Sequence, residues 1–506
     1  MKLFASVYIG SYEIILKIFE ISKDRPLKEV DCLRMSTDIL REIYNTGKVS
    51  LETTEQLCSI ISDMRRTMKE YKVDASRVYG GYFFGKAENI LFVLDQIRIK
   101  TKTEVQMLTN SEHRFLGYEA IASTKQFENL IEDSAVMVDV GGASLQITYF
   151  KNSSLITTQH VMLGTYSMHQ SIEKLKNLPD MEKQIISLID KELDNFKTMY
   201  LKGEQIKYLI ILGDGVMRVV KKLVSESDND IIERDRLSNY MKKLQKKLFH
   251  AIWDDDVTEV SGGSQDEALL LLHREILHKI PTEYVVIPGV SVCEGIAYDY
   301  AYKTGMMKPN HNFEEDVMSA SWYLADRFGS YKPHLQALEQ FSMDIFDSMK
   351  KYHGLTERER LLMRVVCVLH DCGKYISLSE AADCSGMIIR SAEILGLTHK
   401  EREMVAMVVT YNRKALDPYE VVASAFTKKE YTVIVKLLAI LKVANAMDRS
   451  HKQRLKHVKM NVRNDQLFIS IEADDSISLE KGLFREKADF FQRVFAVRPV
   501  IKEKRM

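Results

Sequence analysis

Twice in this chain an apolar run of β-formers stops at a glycine turn and resumes as a second strand, and that repeated unit limits the fold more than any other feature. Residues 2–9 (KLFASVYI) and 13–21 (EIILKIFEI) flank Gly10-Ser11-Tyr12, and AVMVDV and SLQITYF flank Gly141-Gly142-Ala143 within 135–150. A third apolar strand at 207–212 (KYLIIL) runs into Gly213-Asp214-Gly215. Between these units helical and strand periods alternate: helix 52–71, strand 77–84, helix 86–97, strand 103–108 and helix 111–124 in the first stretch. In the second, strand 154–160 is followed by helices near 165–175, 180–201, 231–250 and 264–278, then strand 283–287 and a helix near 290–304. Two related α/β lobes are implied, 1–125 and 126–289, with helix 290–304 returning to the first. Gly305 and Pro309 then interrupt helical hydrogen bonding. From 305 to 455 helical periodicity is nearly continuous, and 456–506 reads strand, strand, helix, strand, a small α+β tail.

With 506 residues the chain has material for several cores, and a balance of 71 basic against 71 acidic residues argues against a polycation built for nucleic acid. Any anion-binding surface is therefore local. Its 6 cysteines show no framework spacing and suit a reducing compartment, and no leader or membrane-length apolar run is evident, so a cytoplasmic protein without a membrane partner is expected.

A strand ending in Asp before two glycines sets a carboxylate beside unshielded backbone N–H groups, a way to cradle a metal-bound phosphate; a plain capped β-turn is the commoner use of the same residues. Asp139-Val-Gly141-Gly142-Ala-Ser144 meets that description. The three glycine turns resemble the phosphate loops of the actin, Hsp70 and sugar-kinase superfamily, and the whole chain resembles the exopolyphosphatase/guanosine pentaphosphate phosphatase (Ppx/GppA) family. That family's loop Asp-Ile-Gly-Gly-Gly-Ser-Thr-Glu is matched by Asp-Val-Gly-Gly-Ala-Ser-Leu-Gln at 139–146, and its Gly-x-Glu-Glu-Ala-Arg stretch by Thr109-Asn-Ser-Glu112-His-Arg114.

The resemblance implies two actin-like (ribonuclease H-like) lobes, an all-α HD-like domain and the small tail, with hydrolysis of terminal phosphate from polyphosphate or a guanosine pentaphosphate in the cleft between lobes. It implies Glu112 as the catalytic carboxylate, Asp139 as the Mg2+ ligand, and Gly10, Ser11, Lys86, Gly141, Gly142, Ser144, Gly213 and Gly215 as phosphate contacts, with K+ as an optional second cation. Without the resemblance, Glu112 reads as a first-turn acid behind a helix cap. Several family ligands are changed: Tyr8 stands where the first-lobe Asp belongs, Gly85 where an Arg does, Val216 for a Thr, and Cys293 for an Arg. The alternative is thus a polyphosphate- or alarmone-binding regulatory protein that has lost turnover.

In the helical half His370-Asp371 resembles the HD signature, with His334 as an upstream partner and Tyr411-Asn412-Arg413-Lys414 as a further match. Asn445 takes the place of the last metal-binding Asp, so a metal-poor, structural HD fold is expected. Cys367, His370, Cys372 and Cys384 lack zinc-site spacing and are expected to be buried without structural zinc. A basic stretch carrying Arg449, Lys452, Arg454 and Lys456 offers a track for a polyanion, Lys242-Lys-Leu-Gln-Lys-Lys247 a lesser one. The family resemblance also implies a homodimer formed through the carboxy-terminal half.

Overall fold

A computed structural model gives the fold and describes every residue except 12, 24, 38, 143, 176–179, 214, 217–219, 221–229, 254–262, 474–475 and 504–506, together with the side chains at 169, 172–173, 181–182, 245–253, 263–267 and 473. Tyr12, Ala143 and Asp214, each in one of the glycine turns, therefore lie outside the described residues, as do the side chains of Lys246 and Lys247. The chain divides into two compact units, Met1–Asn312 and Phe313–Met506.

The first unit opens with β1 (Lys2–Ile9), β2 (Glu13–Ile21) and β3 (Lys28–Ser36), followed by α1 (Ile39–Thr46), α2 (Leu51–Glu70), β4 (Ala75–Gly80), α3 (Ile90–Thr101), β5 (Gln106–Met107) and α4 (Asn110–Ala122). Its sheet runs β3-β2-β1-β4-β5, with β1 antiparallel to β2 and parallel to β4. β1 and β2 are apolar on both faces because both faces are covered. Ala5, Val7 and Ile9 join Leu57, Ile61, Val93 and Ile97 in one core cluster. Phe4, Phe19 and Ile21 join Leu116 and three residues from far along the chain, Ile296, Ala297 and Ala301, in the other.

Those last residues belong to α10 (Val292–Lys303), which returns to β1, β2 and α4. The approach is close enough that a Cβ on Gly295 would sit 1.9 Å from the Leu116 carbonyl oxygen, so only glycine fits there. Ser291 begins α10 in a capping box with Glu294, whose carboxylate also meets the buried Lys17 ammonium of β2.

A second sheet is built from β6 (Ser134–Val140), β7 (Leu145–Lys151), β8 (Ser154–Val161), β9 (Ile206–Leu212), β10 (Ile231–Glu233) and β11 (Thr282–Val286) in the order β10-β11-β9-β6-β7-β8. Further α-helices of the unit among the described residues are α5 (Phe127–Ile131), α6 (Thr165–Leu175), α7 (Met181–Phe196), α8 (Arg234–Trp253) and α9 (Gly263–Lys279). β8-β7-β6-β9-β11 repeats β3-β2-β1-β4-β5 strand for strand, with β6 antiparallel to β7 and parallel to β9. The repeated hairpin of the sequence is thus a repeated sheet.

Two local expectations shift. β4 ends at Gly80, and α3 starts after Asn89 because that side chain exchanges hydrogen bonds with the Val49 backbone instead of continuing a helix begun at 86. The helix expected from 231 starts at Arg234, because Ile231–Glu233 pair with β11. β3 is an edge strand in which no residue is buried.

The second unit begins with α11 (Phe313–Arg327), α12 (Lys332–Ser348), α13 (Glu357–Leu369), α14 (Ala381–Ser391), α15 (His399–Thr410) and α16 (Lys428–Met447). It ends in β12 (Leu455–Arg463), β13 (Gln466–Ala473), α17 (Ser478–Phe495) and β14 (Arg498–Glu503), whose strands form one sheet in that order. α13 beyond Leu361 and α16 beyond Val433 bury nearly every residue, the mark of helix segments enclosed by others, while their first turns are charged. Among the described residues no helix is long and apolar enough to cross a membrane.

Candidate active site

The sheet repeat places two turns in equivalent positions. Gly10 N–H donates to the Glu13 carbonyl at 2.9 Å, and Gly141 N–H donates to the Ser144 carbonyl at 2.9 Å. Tyr8 and Asp139, each two residues before its turn, are counterparts in the two sheets, and both line one cavity with Gly10, Ser11, Gly141 and Gly142. Gly142 is held against the first lobe: a Cβ there would lie 2.7 Å from Leu40 Cδ2 and 3.4 Å from Ser11 Oγ. Gly213 and Gly215 line the same cavity, Gly213 at φ +113°, a conformation that glycine alone adopts readily.

These contacts correct part of the expected phosphate cradle. The N–H groups of Gly10 and Gly141 already close their own turns and are not open donors. The carbonyls of Gly141 and Gly142 accept from Thr165 and Tyr166 at the start of α6, which ties the second turn to that helix.

The larger correction concerns Glu112. Its Oε2 accepts from Thr109 N–H at 2.8 Å and from Thr109 Oγ1 at 2.7 Å, while its own N–H donates to Thr109 Oγ1, a complete capping box at the start of α4. It is absent from the walls of both recesses, whereas its neighbours line them: His113 both, Arg114 the second. The helix start turns position 112 back along the chain and positions 113 and 114 into the cleft.

Arg114 is 5 % exposed; its Nη2 donates to Ser144 Oγ at 2.7 Å and its Nε to Asn110 Oδ1 at 3.0 Å, so a first-lobe guanidinium braces the second-lobe turn. His113 stacks on Tyr8 with ring centroids 5.4 Å apart. Burial pushes the His113 imidazole below its usual range; the Asp139 carboxylate opposes that and the Arg114 cation adds to it. The ring is therefore neutral at pH 7.

Lys86, expected to replace a family Arg, is exposed, with its ammonium 4.6 Å from the Tyr82 ring, and lines neither recess. Arg114 is the cation that reaches the second turn. In the sequence His113 carries no role of its own; its signal is adjacency to an N3 cap residue, since the next side chain is rotated by about 100° around the helix. Glu13, also in the cavity wall, pairs with Arg34 at 3.0 Å.

In the second unit, Arg449, Lys452 and Lys456 are exposed, and Arg454 donates to the Ser476 carbonyl at 2.8 Å. Lys456 faces Glu472 across the β12–β13 ladder. Lys442 is buried over the Phe490 ring and donates to the Lys414 carbonyl at 2.9 Å; burial, with the nearby Lys487 charge, pushes its ammonium down to about 8. Of the four expected cations, Arg449, Lys452 and Lys456 thus stand exposed and Arg454 is tied to a backbone carbonyl.

Two family models match the chain: the Ppx/GppA phosphatase family over residues 24–302, and Ppx/GppA phosphatase, domain III, over residues 322–487. A curated relative, the guanosine-5'-triphosphate,3'-diphosphate pyrophosphatase of Aeromonas hydrophila, is 19% identical over 391 residues, covering 74% of this chain and 74% of its own. Among solved structures, the Ppx/GppA family member of Aquifex aeolicus aligns with TM-score 0.47 at 16% identity, over 62% of this chain and 99% of its own. An exopolyphosphatase from Cytophaga hutchinsonii aligns with TM-score 0.49 at 13% identity, over 61% of this chain and 100% of its own.

Proposed function

The chain belongs to the Ppx/GppA phosphatase family, and on that premise we propose that its first unit hydrolyses the terminal phosphoanhydride of inorganic polyphosphate or of a guanosine pentaphosphate in the cavity between β1 and β6. The observation that carries the reading is the meeting of Asp139, neutral His113 and the Arg114–Ser144 contact around the two glycine turns.

Family phosphatases generally use divalent metal ions. Asp139 is a carboxylate at the cavity wall with no partner that would neutralise it among the described ion pairs, and one carboxylate plus substrate phosphates is a usual way to hold Mg2+. Tyr8, where a second carboxylate is expected, contributes no charge at neutral pH. The residues present therefore fit an ion that arrives with the phosphates, and its chemistry is to neutralise charge on them.

This chain's own groups do the rest. His113, neutral and desolvated, accepts a proton from the attacking water, the role first given to Glu112. Arg114 fixes Ser144, whose hydroxyl and the Gly142 and Gly215 backbone orient phosphate oxygens. The walls of glycine, Tyr8, Leu212 and Leu269 restrict water.

The second reading, binding without turnover, is favoured by one observation, the Tyr8 ring lying on His113. The two are separated by measuring phosphate release from long-chain polyphosphate and from guanosine pentaphosphate with added Mg2+. Release abolished by His113→Gln supports hydrolysis; saturable binding with no release by wild type supports the binding protein.

A further inference from the structure

At the far end of the first sheet from the cleft, a recess of about 660 Å3 opens between the ends of α2 and α3 and the start of β4. β4 links the two regions: Ala75 at its beginning lines the recess, and Gly81, just past its end, lines the cleft. At about 3.3 Å per residue these two positions stand about 20 Å apart. The recess is therefore a separate place on the first unit. It shares no residue with the basic stretches at 242–247 and 449–456.

Five cations line it: Arg65 and Lys69 of α2, Lys72 and Lys102 in the turns after α2 and α3, and Arg77 of β4. No ion pair among the described residues includes any of them, whereas Arg66 and Lys100, on the same two helices, pair with Asp63 and Glu55. Two acids, Asp74 and Glu104, share the wall, and Asp74 Oδ2 already accepts from Leu3 N–H at 2.7 Å. Arg65 donates to the Thr101 carbonyl and Arg77 to the Ser76 carbonyl at 3.2 Å, which fixes both guanidinium groups while leaving further N–H donors on each.

The ordinary reason for lysine at a helix end is the macrodipole, and it falls short of the charge present. Two helix C-termini contribute about −0.5 each and the two acids about −2, which against five cations leaves a surplus of about +2. Lys72 and Lys102 add a second argument. Both have left-handed backbones, φ +54° and +56°, at helix ends where glycine is the residue of least strain. A lysine in each place accepts that strain, and both side chains serve the same recess.

We infer that this recess binds a small oligophosphate, directly and without a metal ion. The planar guanidinium forks of Arg65 and Arg77 suit the paired oxygens of phosphate, and the three lysines supply point charge. The volume is that of a site for a ligand of nucleotide size, well beyond one orthophosphate, so a chain of several phosphates is the anion that meets all five cations. The site does not depend on turnover in the cleft.

The test is lysine footprinting of the full chain in the presence of a chelator, with inorganic tripolyphosphate as the probe and acetylation of each lysine read by peptide mass spectrometry. Lys69, Lys72 and Lys102 are expected to be protected several-fold and saturably, while Lys28 and Lys125, exposed on the same lobe, react as before. Sulfate at equal ionic strength protects none of them, and orthophosphate protects only at much higher concentration. Arg77→Met, at an exposed position, raises the tripolyphosphate concentration for half-protection about tenfold. Lys72→Gly/Lys102→Gly relieves both left-handed backbones, so the melting temperature holds or rises while Lys69 loses its protection. His113→Gln leaves the protection intact whether or not the cleft hydrolyses anything, which separates the two sites. The inference is wrong if the three lysines stay reactive, if Lys28, Lys125 or matched sulfate show the same protection, or if orthophosphate is as effective as tripolyphosphate. It is equally wrong if Lys69 is protected as well in Arg77→Met or the double glycine variant as in wild type, or if His113→Gln abolishes the effect.

Discussion

The Tyr8 ring lies parallel to the His113 imidazole, planes 5° apart and centroids separated by 5.4 Å. Tyr8 is the first-sheet counterpart of Asp139, so the stack replaces what the repeat would otherwise make a pair of facing carboxylates. The cleft keeps Asp139 and gains an aromatic floor against its half-buried histidine. We expect Tyr8→Asp to tighten Mg2+ dependence of phosphate release several-fold, while Tyr8→Phe, which keeps the stack, leaves it unchanged; a metal titration of the reaction rate measures both.

Glutamine can hold a capping box as well as glutamate does. Glu112→Gln is therefore expected to shift folding stability by less than about 1 kcal/mol and turnover by less than about twofold. A fall of about a hundredfold or more would return the catalytic role to Glu112. His113→Gln should give that larger fall, with the circular dichroism spectrum unchanged.

Because burial lowers the His113 pKa, the base is unprotonated at neutral pH and is lost only on acidification. Turnover should be flat through pH 7 and fall at a pH below the ordinary histidine value of about 6.5. An acid limb centred above that value would contradict the assignment; rate against pH at saturating substrate is the measurement.

Glu119 of α4 is 4 % exposed, and burial, with repulsion from Asp299, raises its carboxyl to about 9. A folded pKa above the unfolded one means that the stabilising effect of the bound proton is complete below about 4.5 and is lost as pH rises toward about 9. Over that window Glu119 should lower stability by at most about 1.4 kcal/mol per pH unit. Glu119→Gln should remove this slope, which chemical denaturation at pH 6 and pH 8.5 would reveal.

Gly295→Ala forces a methyl against the Leu116 carbonyl, a contact of 1.9 Å before relaxation. The expected cost is about 3 kcal/mol or more, as for severe overpacking, seen as an earlier first step in thermal unfolding while the second unit keeps its own transition.

The duplicated hairpins were readable because a strand buried on both faces is a run of β-formers, and because glycine marks the turn after it, as at Ile9-Gly10 and Val140-Gly141. β3 was not readable: Lys28–Ser36 lacks a clean alternation and buries none of its residues, so little in it stands out from a loop. In the site, Asp139 and the glycines could be found by their order along the chain. Glu112 and His113 could not be told apart that way, since a one-residue step on a helix decides which side chain meets the cap and which meets the cleft.

Finally, the return of α10 to the first sheet has a bearing on biosynthesis. Phe4, Phe19 and Leu116 close their core against Ile296, Ala297 and Ala301. As the nascent chain leaves the ribosome, the opening hairpin and α4 must wait, one apolar side uncovered, until almost three hundred residues have emerged. Translation pausing within the second lobe would lengthen that wait, and a chaperone that shields the exposed side would have its longest opportunity there.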